Sequence, residues 1–441
     1  MTATSFVKRE TGNGKRSSRG RSFHVSRFTF HDPGERMLVL ALACRRCGVE
    51  TAKSAPIACQ RCGGPLDPVY DWDRIAASVS RHDVTIRPRN IWRYRELLPL
   101  DGPPTTGLHA GWTPLVELPS LADLLGVRRL WAKVDGVSFP SLSFKDRVVS
   151  VAINRALELG IRTVGCPSTG NLANAVAAHA AAAGLEAWIF IPDDLELGKT
   201  MGTLVFKPNV VRVHGTYDQI NRLCREAAEA FGWGIVNVNL RAYYAEGSKT
   251  MAYEIAEQLG WRAPTAVVAP MAGGALVTKL AQGFAELRRL GWITDEAPRL
   301  FGTQAGGCSP IVTAVQNATE TIVPVVPRTI ARSLAIGDPV DGPWAARAIV
   351  ESDGWAAAVT DAELVEGISM LAQFGGIFTE TAGGVTMAGA KKLAGEGWLS
   401  RDDEVVLCIT GNGMKTIEAL EGTFDPTPVI GPTLAELERL L

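Results

Sequence analysis

The chain has 441 residues, of which 46% are hydrophobic and 21% charged, a composition typical of a globular protein with two or three domains. A formal net charge of -1 argues against a protein built mainly to bind nucleic acid or an anionic membrane. No apolar run is long enough for a membrane span, and the N-terminus lacks the apolar segment of a secretory signal. Four of the eight cysteines are scattered, as in reduced intracellular proteins, which predicts a cytoplasmic location.

Residues 1–36 are rich in lysine, arginine, serine and glycine, and they include a basic low-complexity run. Such a composition cannot bury a hydrophobic core, so we expect a disordered basic tail. A basic arm can also contact nucleic acid, but the basic run has no interleaved aromatic residues. A solvated tail is therefore the favoured interpretation, and no nucleic-acid partner is expected.

Residues 37–70 contain two Cys-x-x-Cys-Gly units, with Cys44 and Cys47 in the first and Cys59 and Cys62 in the second. Each unit forms a knuckle that presents two thiolates on one side, and two knuckles make the tetrahedral four-sulfur site that zinc prefers. No histidine in the module offers an open catalytic position, so the pattern predicts a zinc-ribbon-like module with a structural zinc. The alternative is two reduced pairs that bind no metal.

The stretch Ser143-Phe144-Lys145-Asp146-Arg147 places a lysine between an aromatic residue and an acid, directly before a predicted helix over residues 148–160. A helix N-terminus disfavours positive charge, so a half-buried lysine there tends towards the neutral, nucleophilic amine. Such an amine suits imine chemistry with a carbonyl cofactor. A solvated cluster of charges at a helix start is the alternative, and these five residues alone do not exclude it.

Further junctions between a predicted strand and a predicted helix carry small or polar residues. They are Pro167-Ser168-Thr169-Gly170-Asn171, Met271-Ala272-Gly273-Gly274-Ala275-Leu276 and Thr410-Gly411-Asn412-Gly413. Turns rich in glycine or hydroxyl groups before a helix let backbone N–H groups approach an anion, although simple N-capping by Ser168 or Thr169 is the alternative. The alternation of strands and helices predicts an α/β fold with parallel sheets.

The lysine, the asparagine loop, the Gly-Gly loop and Thr-Gly-Asn-Gly occur in the order found in the β-family of pyridoxal-phosphate enzymes, also called fold type II. From Cys44 onward the chain resembles the threonine synthases of that family, with similar stretches at residues 168–174, 239–249, 334–342, 378–384 and 410–416. The resemblance implies two parallel-sheet domains. These are a large cofactor-binding domain over residues 71–145 and 246–441, and a small α/β domain over residues 146–245.

The same resemblance implies roles for individual residues. Lys145 would be the catalytic residue and would hold the cofactor covalently, Asn171 would hydrogen-bond the 3-oxygen of its ring, and Thr410 would face the pyridine nitrogen. The loop that would bind the cofactor phosphate consists of Ala272, Gly273, Gly274, Ala275 and Leu276. The residues that would bind the substrate carboxylate are Ser168, Thr169 and Gly170.

The implied reaction converts O-phospho-L-homoserine and water to L-threonine and phosphate, so the expected partner is a small phospho-amino acid. A γ-phosphate needs dedicated anion contacts. The polar or cationic residues near Lys145 in sequence are Lys133, Ser143 and Arg147, which we therefore predict as ligands of the substrate phosphate. A homodimer is also expected.

The chain departs from the family pattern at two places. Residues 139–142 read Phe-Pro-Ser-Leu where the family has Asn-Pro-Thr-Gly, and Gly273, Gly274 and Ala275 stand where small hydroxyl residues are expected. Several alternatives stay open. They are a related enzyme such as a cysteate synthase or a threonine deaminase, a cofactor-binding protein without turnover, and an enzyme that carries a nucleic-acid-binding module. Retention of Lys145 argues against loss of turnover.

Overall fold

The computed structural model describes residues 38–168, 170–193, 201–215, 217–423 and 427–441. The predicted tail over residues 1–36 and the predicted carboxylate ligand Thr169 therefore lie outside the described residues.

The strands of the described chain belong to three sheets. In chain order they are β1 (Val39–Cys44), β2 (Glu50–Thr51), β3 (Leu66–Tyr70), β4 (Leu115–Glu117), β5 (Arg129–Val134), β6 (Thr163–Pro167), β7 (Glu186–Pro192), β8 (Asn209–Val213), β9 (Gly234–Ile235), β10 (Ala266–Pro270), β11 (Arg299–Ala305), β12 (Ala356–Val359) and β13 (Glu404–Ile409).

The α-helices lie between and around these strands. They are α1 (Trp72–Ser78), α2 (Arg81–Ile86), α3 (Pro119–Leu125), α4 (Lys145–Glu158), α5 (Asn171–Ala183), α6 (Met201–Leu204), α7 (Tyr217–Phe231), α8 (Arg241–Glu246), α9 (Lys249–Gln258), α10 (Ala275–Arg289), α11 (Pro310–Gln316), α12 (Gly342–Glu351), α13 (Asp361–Gly375), α14 (Thr381–Gly395) and α15 (Leu434–Glu438).

The N-terminal sheet is antiparallel, with the order β2-β1-β3. The two cysteine knuckles lie beside it, and backbone hydrogen bonds close each of them. Gly48 N–H donates to Cys44 O at 2.9 Å, and Gly63 N–H donates to Cys59 O at 2.8 Å. The sheet and its knuckles form the predicted four-cysteine module.

The large sheet has six strands in the order β12-β11-β10-β13-β5-β4, and every neighbouring pair is parallel except the edge pair β4 and β5. Both faces are buried. Val267 of β10 packs in the core on the α10 side, whereas Val268 packs in the core on the α14 side. Parallel sheets covered by helices on both faces have such continuous apolar strands.

The small sheet has four parallel strands in the order β8-β7-β6-β9. Helices α5 and α7 pack against its strands, and α4 packs against both α5 and α8. Two parallel sheets with an N-terminal four-cysteine module confirm the predicted fold class.

Two helices differ from their predicted bounds. Helix α4 begins at Lys145 and not at residue 148, because Phe144 already has helical φ and ψ angles of -47° and -27°. The helical spacing of residues 246–259 predicts a helix, and the corresponding helix α9 begins at Lys249 because residues 247 and 248 separate it from α8. A Cβ at Gly247 would lie 2.5 Å from Arg147 O, so the glycine permits the break to approach the backbone of α4 closely.

Candidate active site

Loops from distant parts of the chain meet beyond the carboxyl end of β13. Phe144 N–H donates to Thr410 O at 2.8 Å, which places the loop before Lys145 directly on the end of this strand. Glu380 N–H donates to Gly411 O at 3.2 Å and brings a third loop to the same place. Because these bonds are made by the backbone, the sheet itself positions the side chains of the three loops.

Lys145 is the first residue of α4, and its side chain is partly exposed. Its Nζ lies 3.1 Å from the hydroxyl of Tyr244 and donates a hydrogen bond to it. The same nitrogen lies 5.6 Å from the centroid of the Phe144 ring and 5.7 Å from that of Tyr244. The amine is therefore held between two aromatic rings at a helix start, and it remains reachable.

Asn171 and Thr410 both contact the carboxyl group of Glu380, although Asn171 follows β6 of the small sheet and Thr410 follows β13 of the large sheet. Asn171 Nδ2 donates to Glu380 Oε2 at 2.8 Å, and Thr410 Oγ1 donates to Oε1 at 3.4 Å. Burial raises the pKa of Glu380, and the Asn171 hydrogen bond and the charges of Lys415 and Lys145 oppose it with smaller effects. An amide and a hydroxyl suited to the oxygen and nitrogen of a pyridoxal ring thus converge at one place.

The Gly-Gly loop ends β10 and begins α10, which has 15 residues. Gly274 is the N-cap with φ +91°, and a Cβ there would lie 3.0 Å from both Asp341 O and the Ala345 side chain. The first N–H groups of a helix have no acceptor within it, so this N-terminus suits a phosphate dianion without side-chain donors. Since β10 and β13 are parallel neighbours, this loop and Thr410 emerge at the same sheet edge.

Arg147 lies in a buried ion cluster. Its guanidinium donates to both oxygens of Asp135 at 2.6 and 2.8 Å and to both oxygens of Glu254 at 2.5 and 2.8 Å. Further bonds reach the hydroxyls of Thr250 and Thr113, and the Arg147 side chain is 0% exposed. Every donor group of Arg147 therefore has a partner in this cluster, and its predicted role as a ligand of the substrate phosphate stays a prediction that this geometry does not favour.

Lys133 belongs to the same buried cluster. Its Nζ lies 2.6 Å from Glu254 Oε2, 2.6 Å from Thr113 O and 2.9 Å from Gln258 Oε1. Burial alone would raise the pKa of Glu254, but the charges of Arg147 and Lys133 lower it to about 2. All three N–H groups of Lys133 therefore have partners, and its predicted substrate-binding role stays a prediction that this geometry does not favour.

The remaining predicted substrate ligands belong to two loops. Ser143 lies in the loop before Lys145, and residues 168–170 directly precede α5. Ser143 is fully buried and shares a 3.3 Å hydrogen bond with Ser141 Oγ. Ser168 Oγ accepts a 3.3 Å hydrogen bond from Gly170 N–H, directly before the 13-residue helix α5. Thr169, which follows Ser168 in sequence, lies outside the described residues.

Lys415 is a cationic residue near the site that we did not predict. It is half-buried, and within the part of the chain that the structure describes its ammonium makes no ion pair. Burial lowers its pKa, and the charges of Glu380 and Asp146 oppose this effect. Like Glu380 and Tyr244, it lies in a stretch that resembles the family, but no local pattern singled out these three residues.

The four predicted metal ligands do lie together. Their sulfur atoms are all within 4.8 Å of one another, with 3.4 Å between Cys44 and Cys62 and 3.6 Å between Cys47 and Cys59. A tetrahedral zinc with Zn–S bonds of about 2.3 Å requires sulfur separations of about 3.8 Å. The four-thiolate geometry therefore fits a structural zinc, as predicted.

Comparison with solved structures supports the same architecture. The fold is similar to threonine deaminase isoform 2 from Solanum lycopersicum, with a TM-score of 0.61, 19% identity, and coverage of 80% of this chain and 88% of the other. It is also similar to maize serine racemase, with a TM-score of 0.57, 20% identity, and coverage of 68% and 89%. In the described residues, no helix is long and apolar enough to cross a membrane.

Sequence comparison identifies the family. Residues 107–411 match the model of the pyridoxal-phosphate dependent enzymes. The chain is 37% identical to a threonine synthase of Methanocaldococcus jannaschii, with coverage of 90% of this chain and 98% of the relative. It is 34% identical to that of Mycobacterium tuberculosis, covering 80% and 96%. The chain therefore belongs to the pyridoxal-phosphate dependent enzymes and, within them, to the threonine synthase family.

Proposed function

We propose that the protein converts O-phospho-L-homoserine and water to L-threonine and phosphate, as a pyridoxal-phosphate-dependent carbon–oxygen lyase. The observation that carries this proposal is the 37% identity to a threonine synthase over 98% of that relative's length. The cluster of Lys145, Asn171, Glu380 and Thr410 supports it, because its groups match what the cofactor ring and amine require.

Lys145 is the proposed catalytic residue. The bound cofactor supplies the electron sink that makes the carbon–hydrogen bonds of the substrate acidic. Lys145 Nζ would hold the cofactor at rest, and during turnover it would remove protons from Cα and Cβ of the substrate and deliver protons to Cγ and Cα. The phosphate leaves from Cγ and water adds at Cβ. Tyr244, whose hydroxyl accepts a hydrogen bond from Nζ at 3.1 Å, orients the amine for these transfers.

Asn171 and Thr410 are proposed to contact the cofactor ring, at its 3-oxygen and its pyridine nitrogen. Glu380 is a positioning residue, since it accepts hydrogen bonds from both side chains. The proposed phosphate-binding group is the N-terminus of α10, formed by Ala272, Gly273, Gly274, Ala275 and Leu276. Backbone N–H groups there would provide the donors, since Gly273, Gly274 and Ala275 carry no hydroxyl side chain.

The substrate needs two anion contacts. For its carboxylate we propose the loop of Ser168, Thr169 and Gly170, because it lies at the N-terminus of α5. For its phosphate we propose Lys415, a half-buried cation that makes no ion pair among the described residues and lies close enough to Glu380 to affect its pKa. Ser143 stays a candidate for the same phosphate.

The domain division is proposed as predicted. The large domain comprises residues 71–145 and 246–441, the small domain comprises residues 146–245, and the zinc module comprises residues 37–70. The positions of the three sheets support this division. Strands β1 to β3 fall within the zinc module, β6 to β9 within the small domain, and β4, β5 and β10 to β13 within the large domain. A homodimer and a cytoplasmic location complete the proposal.

Covalent labelling tests the proposed centre. Borohydride reduction of the holoenzyme followed by peptide mapping should fix the cofactor on Lys145. Lys133 is the matched control, since it is a lysine 12 residues earlier in sequence whose amine is buried and paired. Label on Lys133, or no label on any lysine, would refute the assignment of Lys145.

A further inference from the structure

Arg45 of the zinc module contacts Asp341, a residue that hydrogen-bonds to the Gly-Gly loop. Arg45 stands directly after Cys44. Its Nη1 donates to Asp341 Oδ1 at 3.0 Å, while its Nε and Nη2 bind Asp67 at 2.5 and 2.9 Å. The side chains of Arg45 and Asp341 are only 11% and 5% exposed, so solvent screens their attraction weakly.

Asp341 in turn supports the turn of the loop. Its N–H donates to Gly273 O at 3.1 Å, and its carbonyl oxygen lies 3.0 Å from the position that a Cβ on Gly274 would take. The second oxygen of its carboxylate accepts from Arg241. A shift of Asp341 therefore moves the backbone on which the proposed phosphate site is built.

A second contact runs from the module to α10, the helix that the loop begins. Lys279 Nζ of α10 lies 3.1 Å from Asp67 Oδ1 and 2.5 Å from Glu246 Oε1. Burial would raise the pKa of Asp67, but the charges of Lys279 and Arg45 outweigh it and lower the pKa. The Asp67 carboxylate is thus charged and holds both Arg45 and α10 in place.

We infer that Arg45 and Asp341 are positioning residues that couple the zinc module to cofactor binding. Zinc fixes the knuckle that carries Arg45, Arg45 fixes Asp341, and Asp341 fixes the Gly273–Gly274 turn. Loss of zinc therefore lowers the affinity for pyridoxal phosphate, although the module contributes no group to the chemistry. This inference rests on the proposed role of residues 272–276 in binding the cofactor phosphate.

The test is the dissociation constant of pyridoxal phosphate, measured on refilling the full-length apoenzyme under reducing conditions. Arg45→Ala and zinc-depleted wild type should each bind the cofactor about tenfold more weakly, the effect of losing one charge-assisted hydrogen bond. Arg61→Ala is the matched control, because Arg61 lies in the other cysteine knuckle and is exposed. It should bind as wild type does, and equal losses in both variants would overturn the inference.

Combining the two changes tests the order of the coupling. Zinc removal from Arg45→Ala should weaken cofactor binding by less than about twofold, because the link is already broken. If zinc removal also weakens cofactor binding tenfold in Arg45→Ala, zinc does not act through Arg45 and the inference is wrong. Should Arg45→Ala not fold, Arg45→Lys replaces it, since one ammonium cannot span Asp67 and Asp341 as the guanidinium does.

Gly274→Ala separates this inference from the assignment of the loop. A Cβ there meets Ala345 and Asp341 at 3.0 Å, so the variant should distort the phosphate site directly. If Gly274→Ala binds the cofactor as tightly as wild type, the proposed phosphate loop is wrong. If it loses affinity while Arg45→Ala and the zinc-depleted protein bind normally, only the link from the module is wrong. Faster hydrogen exchange at residues 272–276 after zinc removal is the independent readout.

Discussion

Asn171 Nδ2 donates a 2.8 Å hydrogen bond to Glu380 Oε2, and this bond joins the first residue of α5 to the N-cap residue of α14. Helix α5 packs on the small sheet, whereas α14 packs on the large sheet. The bond therefore connects the two parts of the molecule at the proposed position of the cofactor ring. The same pair of side chains therefore links the two parts of the molecule and lies where the cofactor ring is proposed to bind.

Replacing Glu380 by glutamine should change how stability depends on pH. Burial raises the pKa of Glu380 above its value in the unfolded chain, so unfolding releases a proton at pH values between the two. This contribution to stability is fully present below the unfolded pKa and falls as pH rises towards the folded pKa. Denaturant titrations of the apoenzyme should show wild type losing stability relative to E380Q over that window.

Glu320→Gln is the control for this titration. A hydrogen bond from Arg347 lowers the pKa of the exposed Glu320, so wild type should gain stability relative to E320Q as pH rises through the acidic range. The two variants should thus differ in the sign of the effect. Curves for wild type and E380Q that stay parallel across pH would contradict the raised pKa of Glu380.

The ion cluster of Arg147 should matter for stability more than for substrate binding. Arg147→Met leaves Asp135 and Glu254 buried without their main partner, which is expected to destabilise the fold by about 3–5 kcal/mol. Denaturant unfolding measures this loss. Arg347→Met, in an exposed pair with Glu320, should change stability little. A stable Arg147→Met enzyme with a raised KM would instead restore the role predicted from the sequence.

Local patterns account for the features that were predicted well. Cysteine spacing alone indicated the metal site, because the knuckle of Cys44 and Cys47 is determined by residues that are adjacent in sequence. Alternating apolar and glycine-rich stretches indicated the parallel sheets and the loops at their carboxyl ends. These features depend on residues close together in sequence, which is why they could be recognised before the fold was known.

Features set by partners that are distant in sequence were not recognised from the sequence. Arg147 looked available for a substrate because its partner Glu254 is 107 residues away in sequence. Glu380 was overlooked for the same reason, since Asn171 lies 209 residues before it. The predicted start of α4 was late because the turn at Phe144 has no capping side chain that would mark the beginning of a helix.

Lys415→Met should weaken recognition of the substrate phosphate. Loss of one charged contact should raise the KM for O-phospho-L-homoserine about tenfold and weaken competitive inhibition by inorganic phosphate by a similar factor. Binding of pyridoxal phosphate should not change. Lys391→Met is the control, since Lys391 is an exposed lysine paired with Glu366 on the surface. An unaltered KM in Lys415→Met would remove Lys415 from the proposed site.

Tyr244→Phe should slow catalysis without releasing the cofactor. The variant loses the 3.1 Å hydrogen bond from Lys145 Nζ, and we expect kcat to fall roughly two- to tenfold, the range for one neutral hydrogen bond. Tyr243→Phe is the matched control, because the hydroxyl of Tyr243 donates to Ser54 O at 2.7 Å, on the side of the zinc module. If both variants slow turnover equally, orientation of Lys145 by Tyr244 is not the cause.

The most direct test of the proposed function is the product balance of the purified holoenzyme. With O-phospho-L-homoserine it should form threonine and phosphate in equal amounts, and with threonine it should form little keto acid. O-phosphoserine with sulfite tests the cysteate synthase alternative, because Leu142, where the family has glycine, could favour a shorter substrate. Equal release of threonine and phosphate supports a threonine synthase. No phosphate from O-phospho-L-homoserine, together with turnover of either competitor, would contradict it.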